Sequence, residues 1–201
     1  MKTLHGALVI AALLLVVTLS LGWLSAQPKA QCNVTWYGQT GEYMLEQVRK
    51  DLRSDCKVVV VELMSFGGPV HTSIAIAQEI RAARTRGMVV EMHGRTVVVS
   101  GGVIVLGAGT PGRRFIDAHS IVLVHGVQMS NGWERKCAAL VPTPTTEDDK
   151  FTNRFIEIVA EDLALSSGKP LAETLLWTEC GKEQVGGGYL LAKLGLADNL
   201  E

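Results

Sequence analysis

The sequence predicts a single α/β domain built on a buried parallel sheet. Aromatic residues make up only 5% of the 201 residues, so the core must be aliphatic and alanine-rich, which suits tightly packed α/β layers. Residues 57–63 read Lys-Val-Val-Val-Val-Glu-Leu, and such a β-branched run is typical of a strand covered on both faces. A helical segment and another strand follow, so we expect a right-handed crossover between the two strands.

The charge balance argues against several classes of partner. The formal net charge is −1 and charged residues make up 19% of the chain. Neither sign dominates, so nothing in the composition indicates binding to nucleic acid or to acidic substrates. The histidines and cysteines do not have the spacing of a zinc site. We therefore expect neither a metal nor a cofactor.

The amino-terminal segment differs in character from the rest of the chain. Lys2 provides a minimal positive region, residues 7–24 are almost wholly apolar, and Leu24-Ser25-Ala26 is a small-residue cleavage site. Residues 1–26 are therefore predicted to be a secretory signal peptide. The alternative is an uncleaved membrane anchor, because the apolar stretch could nearly span a bilayer. In either case residues 27–201 are expected to form one exported domain, periplasmic or secreted, that meets the membrane only if the segment is uncleaved.

Four cysteines lie in the exported part of the chain. An even number in an exported protein indicates two disulfides, for which three connectivities exist. We expect Cys32 to pair with Cys56 and Cys137 with Cys180, because these pairs close the most local loops.

The elements before the central stretch follow from residue spacing. In chain order they are a strand at 33–37, a helix starting at Gly41, a strand at 57–63, a helix starting at Pro69 and a strand at 88–92. In the second helix Val70, Ile74 and Ala77 form one apolar stripe, and Gly87 is a plausible stop. The turn before that helix contains Gly67-Gly68, whose N–H groups could lie at the edge where the preceding strand ends.

A serine separates two apolar runs within residues 97–109. The β-branched run 97–99 stops at Ser100, Gly101-Gly102 follow, and a second apolar run ends at Ala108-Gly109. If the second run is a buried helix, Ser100 occupies its N-cap position, beside the free N–H groups of the first turn. Ser100 can then either cap the helix or act as a nucleophile whose oxyanion is bound by those N–H groups.

After this stretch the sequence predicts strands at 113–116 and 120–125, an irregular excursion at 126–146, a long amphipathic helix at 151–165, and shorter helical segments at 171–177 and 189–194. His125 ends a buried strand, and strand ends in an open parallel sheet gather at the edge where ligands bind. The structural alternative is a strand-end histidine bonded to a loop carbonyl. His93, which ends the strand at 88–92, is a weaker candidate, and His71 and His119 are expected at the surface.

Four motifs between Lys57 and Asp198 carry a family resemblance. They are Ser65-Phe66-Gly67-Gly68-Pro69-Val70, the serine stretch with Gly-Thr-Pro-Gly-Arg-Arg-Phe at 109–115, Val122-Leu123-Val124-His125, and Gly195-Leu196-Ala197-Asp198. In order and spacing they resemble the proteolytic subunit of the Clp protease. The 25 residues from Ser100 to His125 match the serine–histidine spacing of that family.

This resemblance implies an α/β fold of the ClpP/crotonase type, with stacked right-handed ββα units and a projecting handle helix used in ring assembly. A homo-oligomer is therefore expected. Ser100 would be the nucleophile and His125 the general base, and the N–H groups of Gly68 and Gly101 would form the oxyanion hole.

The third member of the catalytic triad matches the family less well. Counting back from Asp198 places the family's aspartate on Glu183, and Glu179 and the Asp148-Asp149 pair are weaker choices. A glutamate can orient a histidine as an aspartate does. Phe66 replaces the family's proline, and Ser100 is followed by Gly-Gly rather than Met-Gly.

The resulting functional expectation is an exported serine endopeptidase that cleaves peptides or unfolded chains through an acyl-enzyme on Ser100. An ATP-driven unfoldase needs nucleotide that is absent outside the cytoplasm, so no ATPase partner is expected. The main alternative is a catalytically inactive ClpP-like protein that binds peptides or assembles a ring. A crotonase-type acyl-CoA enzyme is a weaker alternative.

Overall fold

The computed structural model describes residues 31–130 and 135–201. The predicted signal peptide therefore lies outside the described residues. Within the described residues the strands are β1 (Gln31–Gly38), β2 (Val58–Ser65), β3 (Val89–Val99), β4 (Arg114–Ile116), β5 (Ile121–Val124), β6 (Gln128–Ser130), β7 (Arg135–Cys137), β8 (Gln184–Gly186) and β9 (Asn199–Leu200). The helices are α1 (Glu42–Asp51), α2 (Val70–Thr85), α3 (Gly101–Gly107), α4 (Glu147–Ser167), α5 (Leu171–Trp177) and α6 (Tyr189–Leu194).

In this described part of the chain, seven strands form one sheet. The hydrogen-bonded order β1-β2-β3-β4-β9 is parallel throughout. β5 pairs in parallel with β3, and β8 pairs antiparallel with β5. The predicted mixed α/β architecture with a parallel sheet is confirmed, and it agrees with a ClpP/crotonase-like fold.

The central strand β3 is longer than the sequence predicts. Its first half pairs with β4 through residues 92–94, and its second half pairs with β5 through residues 97–99. Between the halves the strand is irregular: Thr96 has a φ of 52, and the pairing with β2 shifts register between Leu63 and Ser65. His93 therefore lies inside a strand, and the prediction that it ends one is wrong. The polar residues that suggested a strand end instead mark the point where the sheet forks.

Helices cover one face of the central strands more fully than the other. In β2 the side chains of Val59, Val61 and Leu63 are fully buried, whereas the alternating side chains on the opposite face are half-buried. The prediction that residues 57–63 are covered on both faces is therefore only partly correct for the single chain. The half-buried face carries ion pairs, including a bidentate contact of Arg95 with Glu62.

A long helix projects from the domain at its amino-terminal half. α4 begins after Thr146, whose side chain accepts a hydrogen bond from the backbone of Asp149 in a capping box. Its buried side chains start only at Ile156, and Phe151 in the first half is 62% exposed. This arrangement provides the handle of the predicted fold, and the helix is longer at both ends than the predicted 151–165.

The cysteines pair as expected. Cys32 and Cys56 form one disulfide with a Cα–Cα distance of 5.9 Å, and Cys137 and Cys180 form another at 5.6 Å. The second disulfide joins β7 to the turn after α5 and so holds the excursion at 126–146 to the domain. This excursion contains the small antiparallel β6–β7 sheet, which the sequence analysis missed.

No helix among the described residues has the length and apolarity needed to cross a membrane.

Candidate active site

Ser100 and His125, the nucleophile and base predicted from the sequence, meet at the carboxyl ends of two parallel strands. Ser100 follows β3 and His125 follows β5, and these strands pair through Val99 and Leu123. The backbone N–H of Ser100 continues this ladder by donating to the carbonyl of Leu123 at 2.8 Å. Because the two strands end side by side in register, the serine and the histidine become neighbours.

The hydroxyl of Ser100 lies within hydrogen-bonding distance of the His125 ring. Ser100 Oγ is 2.9 Å from Nε2 of His125, and Nδ1 is 2.6 Å from the carbonyl oxygen of Gly126. A carbonyl can only accept, so Nδ1 carries a proton in this arrangement. In a neutral ring Nε2 then presents its lone pair to the Ser100 hydroxyl, which is the tautomer a general base needs. His125 is thus both bonded to a loop carbonyl and paired with the serine.

Ser100 does not cap helix α3, although it occupies the N-cap position. Its backbone has φ 54 and ψ −125, and its side chain makes no capping hydrogen bond. A positive φ is costly for a residue with a side chain and is often found where geometry serves a function. The structure therefore does not support the alternative that Ser100 serves only as a helix cap.

The turn after β2 packs against the side chain of Ser100 at Gly67. Its φ is +76, and a Cβ placed on it would lie 2.6 Å from the Ser100 Cβ and 3.1 Å from the Ser100 Oγ. Only glycine combines this backbone conformation with such a close approach. The turn predicted from Gly67-Gly68 thus forms one wall of the site.

The N–H of Gly68 is aimed by the peptide that precedes it. The carbonyl of Gly67 accepts a 2.9 Å hydrogen bond from the backbone N–H of Thr40. In a trans peptide the N–H points opposite to the carbonyl, so the Gly68 N–H points away from Thr40. Among the described residues it has no acceptor.

The N–H of Gly101 is the first donor of helix α3. The carbonyl of Ser100 accepts from Val103 N at 3.0 Å, which turns the Gly101 N–H back toward the strand ends. It too has no acceptor in residues 31–130 and 135–201. Two free backbone donors beside a serine hydroxyl and a correctly protonated imidazole make an arrangement suited to acyl transfer.

Glu183 follows the β5–β8 ladder at a position opposite His125, but its side chain does not contact the histidine. The β5–β8 ladder ends with the pair Val124–Gln184, so Glu183 and His125 are the next residues on the two strands. The Glu183 side chain is exposed and forms no hydrogen bond or ion pair within the described residues. The structure does not bring it to Nδ1 of His125, and its role as third member stays a prediction.

The weaker acidic candidates have other positions. Asp149 accepts from the backbone N–H of Thr146 at 3.2 Å as part of the α4 cap. Its hydrogen bonds to Thr146 lower the pKa of its carboxyl. Glu179 is exposed. In the part of the chain that the structure describes, no carboxylate bonds to the ring of His125.

His93 belongs to a separate charged cluster on the half-buried face of the sheet. Its ring nitrogens lie 2.9 Å from Glu201 and 3.0 Å from Glu91, and its ring stacks on Phe115. The hydrogen bond to His93 and the one from Arg113 lower the pKa of the Glu91 carboxyl against the opposing effect of burial. The described residues contain no group of histidines, cysteines and carboxylates that could hold a metal.

Two sets of supporting residues escaped the sequence analysis. Thr40, Thr72 and Ser73 form a buried hydroxyl cluster next to Gly68 and Gly101, the two glycines predicted to supply oxyanion donors. Isolated threonines and serines give no signal in a single sequence. The buried Arg114 makes a bidentate pair with Asp198 at 2.9 and 2.5 Å. The sequence could have indicated this ion pair, because Arg114 and Asp198 carry opposite charges and each lies in one of the four motifs.

Comparison with known families agrees with this geometry. Residues 42–167, well over half of the chain, match the family described as Clp protease. The chain belongs to the Clp protease family. The matched region begins with α1 and ends with α4, so it includes Gly68, Ser100 and His125 but not Glu183. A comparison with curated proteins found no match.

Proposed function

We propose that this chain is an exported serine peptidase of the Clp type, which cleaves peptides or unfolded chains without an ATPase partner. The observation that carries the proposal is the 2.9 Å approach of Ser100 Oγ to His125 Nε2. Membership of the Clp protease family supports the peptidase class.

The chemistry follows from the positions of these groups. Ser100 Oγ attacks the peptide carbonyl while Nε2 of His125 takes the hydroxyl proton. The N–H groups of Gly68 and Gly101 bind the oxyanion of the tetrahedral intermediate. His125 then gives the proton to the leaving amine, which leaves an ester on Ser100. Water hydrolyses this ester with His125 again as base, and the serine is regenerated.

Two features support export and independence from an ATPase. Two disulfides tie the domain together, and structural disulfides persist in oxidising compartments. The signal-like residues 1–26 point the same way. ATP is not supplied outside the cytoplasm, so an exported enzyme of this class must act on chains that are already unfolded or short.

Labelling with a fluorophosphonate probe tests the catalytic assignment. The purified, oxidised protein should be labelled, and Ser100→Ala should abolish labelling. Ser54→Ala is a matched control, because Ser54 bonds only the backbone of Asp51 and lies outside the site. Absence of labelling in the wild type, or labelling that persists in Ser100→Ala, would contradict the proposal.

One observation favours the inactive alternative as a second candidate. Nδ1 of His125 faces a backbone carbonyl rather than a carboxylate, so no described acid stabilises the imidazolium that catalysis forms. A ClpP-like protein without turnover would bind peptides or assemble a ring. Peptide binding by a wild-type protein that is never labelled would favour this candidate.

Self-assembly is part of the proposed function. The first half of α4 projects with Phe151 exposed and stacked on Phe155, and an apolar surface on a projecting helix suits contact with another copy. Light scattering after size exclusion should give a multiple of the single-chain mass, and Phe151→Glu should lower it. A monomer at micromolar concentration would contradict this part of the proposal.

A further inference from the structure

The hydroxyl of Thr40 lies between the two glycines whose N–H groups face the reacting position. A Cβ built on Gly68 would be 2.8 Å from Thr40 Oγ1 and 3.0 Å from Thr40 N, and one built on Gly101 would be 2.8 Å from the same oxygen. Thr40 is fully buried. One hydroxyl is thus in contact with both segments that supply an oxyanion donor, although these segments are about 30 residues apart in sequence.

Thr40 is itself held by three hydrogen-bonding contacts. Its hydroxyl is 2.7 Å from Ser73 Oγ, and its carbonyl accepts from Thr72 Oγ1 at 2.5 Å. Its N–H donates to the Gly67 carbonyl at 2.9 Å. Ser73 is anchored in turn by the carbonyl of Pro69 at 3.0 Å. Thr72 and Ser73 lie in the first turn of α2. Their side chains therefore fix Thr40 to the helix that follows the Gly67-Gly68 turn.

These contacts act on the two donors in different ways. The backbone bond from Thr40 sets the plane of the Gly67–Gly68 peptide and hence the direction of the Gly68 N–H. The hydroxyl, with Ser73, fills the space between Gly68 and Gly101 and hence sets their separation. Oxyanion donors act only when they are aimed at where the charge develops, and small displacements of such groups are costly.

We propose that Thr40, supported by Ser73, is a positioning residue that sets the separation and direction of the Gly68 and Gly101 N–H groups. This inference rests on the proposed function. It assigns Thr40 no contact with the substrate, because its side chain is enclosed by the protein.

Substitution of Thr40 by valine and by serine separates the roles of its hydroxyl and its shape. Thr40→Val keeps the size but puts a methyl group, which needs more room than a hydroxyl, against both glycines and breaks the bond to Ser73. We expect kcat on a peptide ester to fall about 10- to 100-fold with KM within about twofold of wild type. Thr40→Ser keeps the hydroxyl, and its kcat should stay within about threefold of wild type.

A matched control removes another buried threonine hydroxyl away from the site. Thr174 is also fully buried and donates to the carbonyl of Ala160 at 2.8 Å. Thr174→Val should lower the melting temperature about as much as Thr40→Val while leaving kcat unchanged. If Thr40→Val does not fold, Ser73→Ala takes its place, with an expected loss of about three- to tenfold in kcat.

The outcomes distinguish this inference from the proposed function. Wild-type kcat in Thr40→Val, or in Ser73→Ala if that variant replaces it, would overturn the inference alone. An equal loss in Thr40→Ser would also overturn it, because the hydroxyl would not be the cause. A wild-type protein that neither reacts with fluorophosphonate nor cleaves the ester would overturn the proposed function and the inference with it.

Discussion

Nδ1 of His125 lies 2.6 Å from the carbonyl oxygen of Gly126, the next residue in the chain. This bond holds the imidazole in the tautomer that presents Nε2 to Ser100, and it uses a backbone group where the family pattern places a carboxylate. The ring is therefore oriented by a neighbouring backbone carbonyl, and no carboxylate of residues 31–130 or 135–201 lies opposite the imidazolium.

Glu183→Gln measures whether a carboxylate takes part in catalysis. In the arrangement described here we expect kcat to change by less than about tenfold, because Nδ1 is already bonded. An essential acid of a triad contributes about 10⁴-fold. A loss of that size, measured by steady-state ester hydrolysis, would show that Glu183 orients His125 as the sequence predicts. Glu179→Gln is the matched control on the same exposed segment.

Gly67→Ala should abolish labelling of Ser100. The added Cβ would lie 2.6 Å from the Ser100 Cβ in a backbone conformation with φ +76, so the turn or the serine must move. Gly87→Ala carries the same kind of backbone penalty at φ +89 with no atom within 4 Å. Both variants should lose about 1 kcal/mol or more of stability, but only Gly67→Ala should lose labelling. Equal labelling of the two variants would contradict the close packing of Gly67 on Ser100.

The two disulfides are expected to differ in their effect on the site. Their sequence separations of 24 and 43 residues correspond to about 3.5 and 4 kcal/mol of unfolding free energy in the chain-entropy description. Gly126 packs against the second disulfide, since a Cβ on it would lie 2.9 Å from Cys137 Sγ. Replacing Cys137 and Cys180 by serine should slow labelling of Ser100 under conditions where the protein is folded.

Replacing Cys32 and Cys56 by serine is the control for this comparison. That pair joins the start of β1 to the segment before β2 and does not contact the site residues. It should lower the urea midpoint with no change in the labelling rate of the folded protein. A change in labelling for both pairs, or for neither, would contradict the proposed link between Gly126 and the second disulfide.

Asp198→Asn is expected to destabilise the domain by about 3 kcal/mol, because it leaves the buried guanidinium of Arg114 without a charged partner. Arg114 also donates to the carbonyls of Gly107 and Ser166, so it joins three segments. Urea denaturation at neutral pH measures the effect. Glu173→Gln, which breaks the exposed pair with Lys169, should cost less than about 1 kcal/mol.

The same pair predicts a dependence of stability on pH. Burial opposes ionisation of Asp198, but the hydrogen bonds that its carboxylate accepts from Arg114 and the charge of the guanidinium outweigh burial and lower the pKa of the carboxyl. A carboxyl whose folded pKa is lowered stabilises the protein above its unfolded pKa of about 4. This stabilisation should be lost as the pH falls through the lower folded value. In Asp198→Asn the acid-dependent loss of stability should be smaller, and an unchanged acid profile would contradict the assignment.

Much of the fold could be predicted because it depends on local patterns. The valine run in β2, the stripe of α2 and the glycine that ends it report periodicity and turn chemistry that need no distant partner. The forking of β3 could not be predicted in this way. Arg95 and Thr96 have the polarity of a strand end, and only the pairing of β3 with β4 before them and with β5 after them makes them part of one strand.

The residues of the candidate site also fall into a group that local sequence patterns predict and a group that depends on tertiary packing. Ser100, His125 and the Gly67-Gly68 turn lie at strand ends, so sequence order alone places them at one edge of the sheet. Thr40 and Ser73 could not be recognised, since their importance comes from a space that exists only after β1 and α2 have packed together. In the sequence, a bond from His125 to a loop carbonyl is an alternative to catalysis, and the structure shows that the same ring makes this bond and the contact with Ser100.

Because the central strands are parallel, their amino ends lie at one edge of the sheet and their carboxyl ends at the other. The described chain enters at Gln31, at the amino end of β1, whereas Ser100 and His125 lie at the opposite ends of the strands. Eight residues of β1 separate these two edges, a span of about 25 Å. A label attached at Gln31 would therefore lie at the edge of the sheet opposite Ser100 and His125, where it can report on binding of the chain to a surface without touching the site.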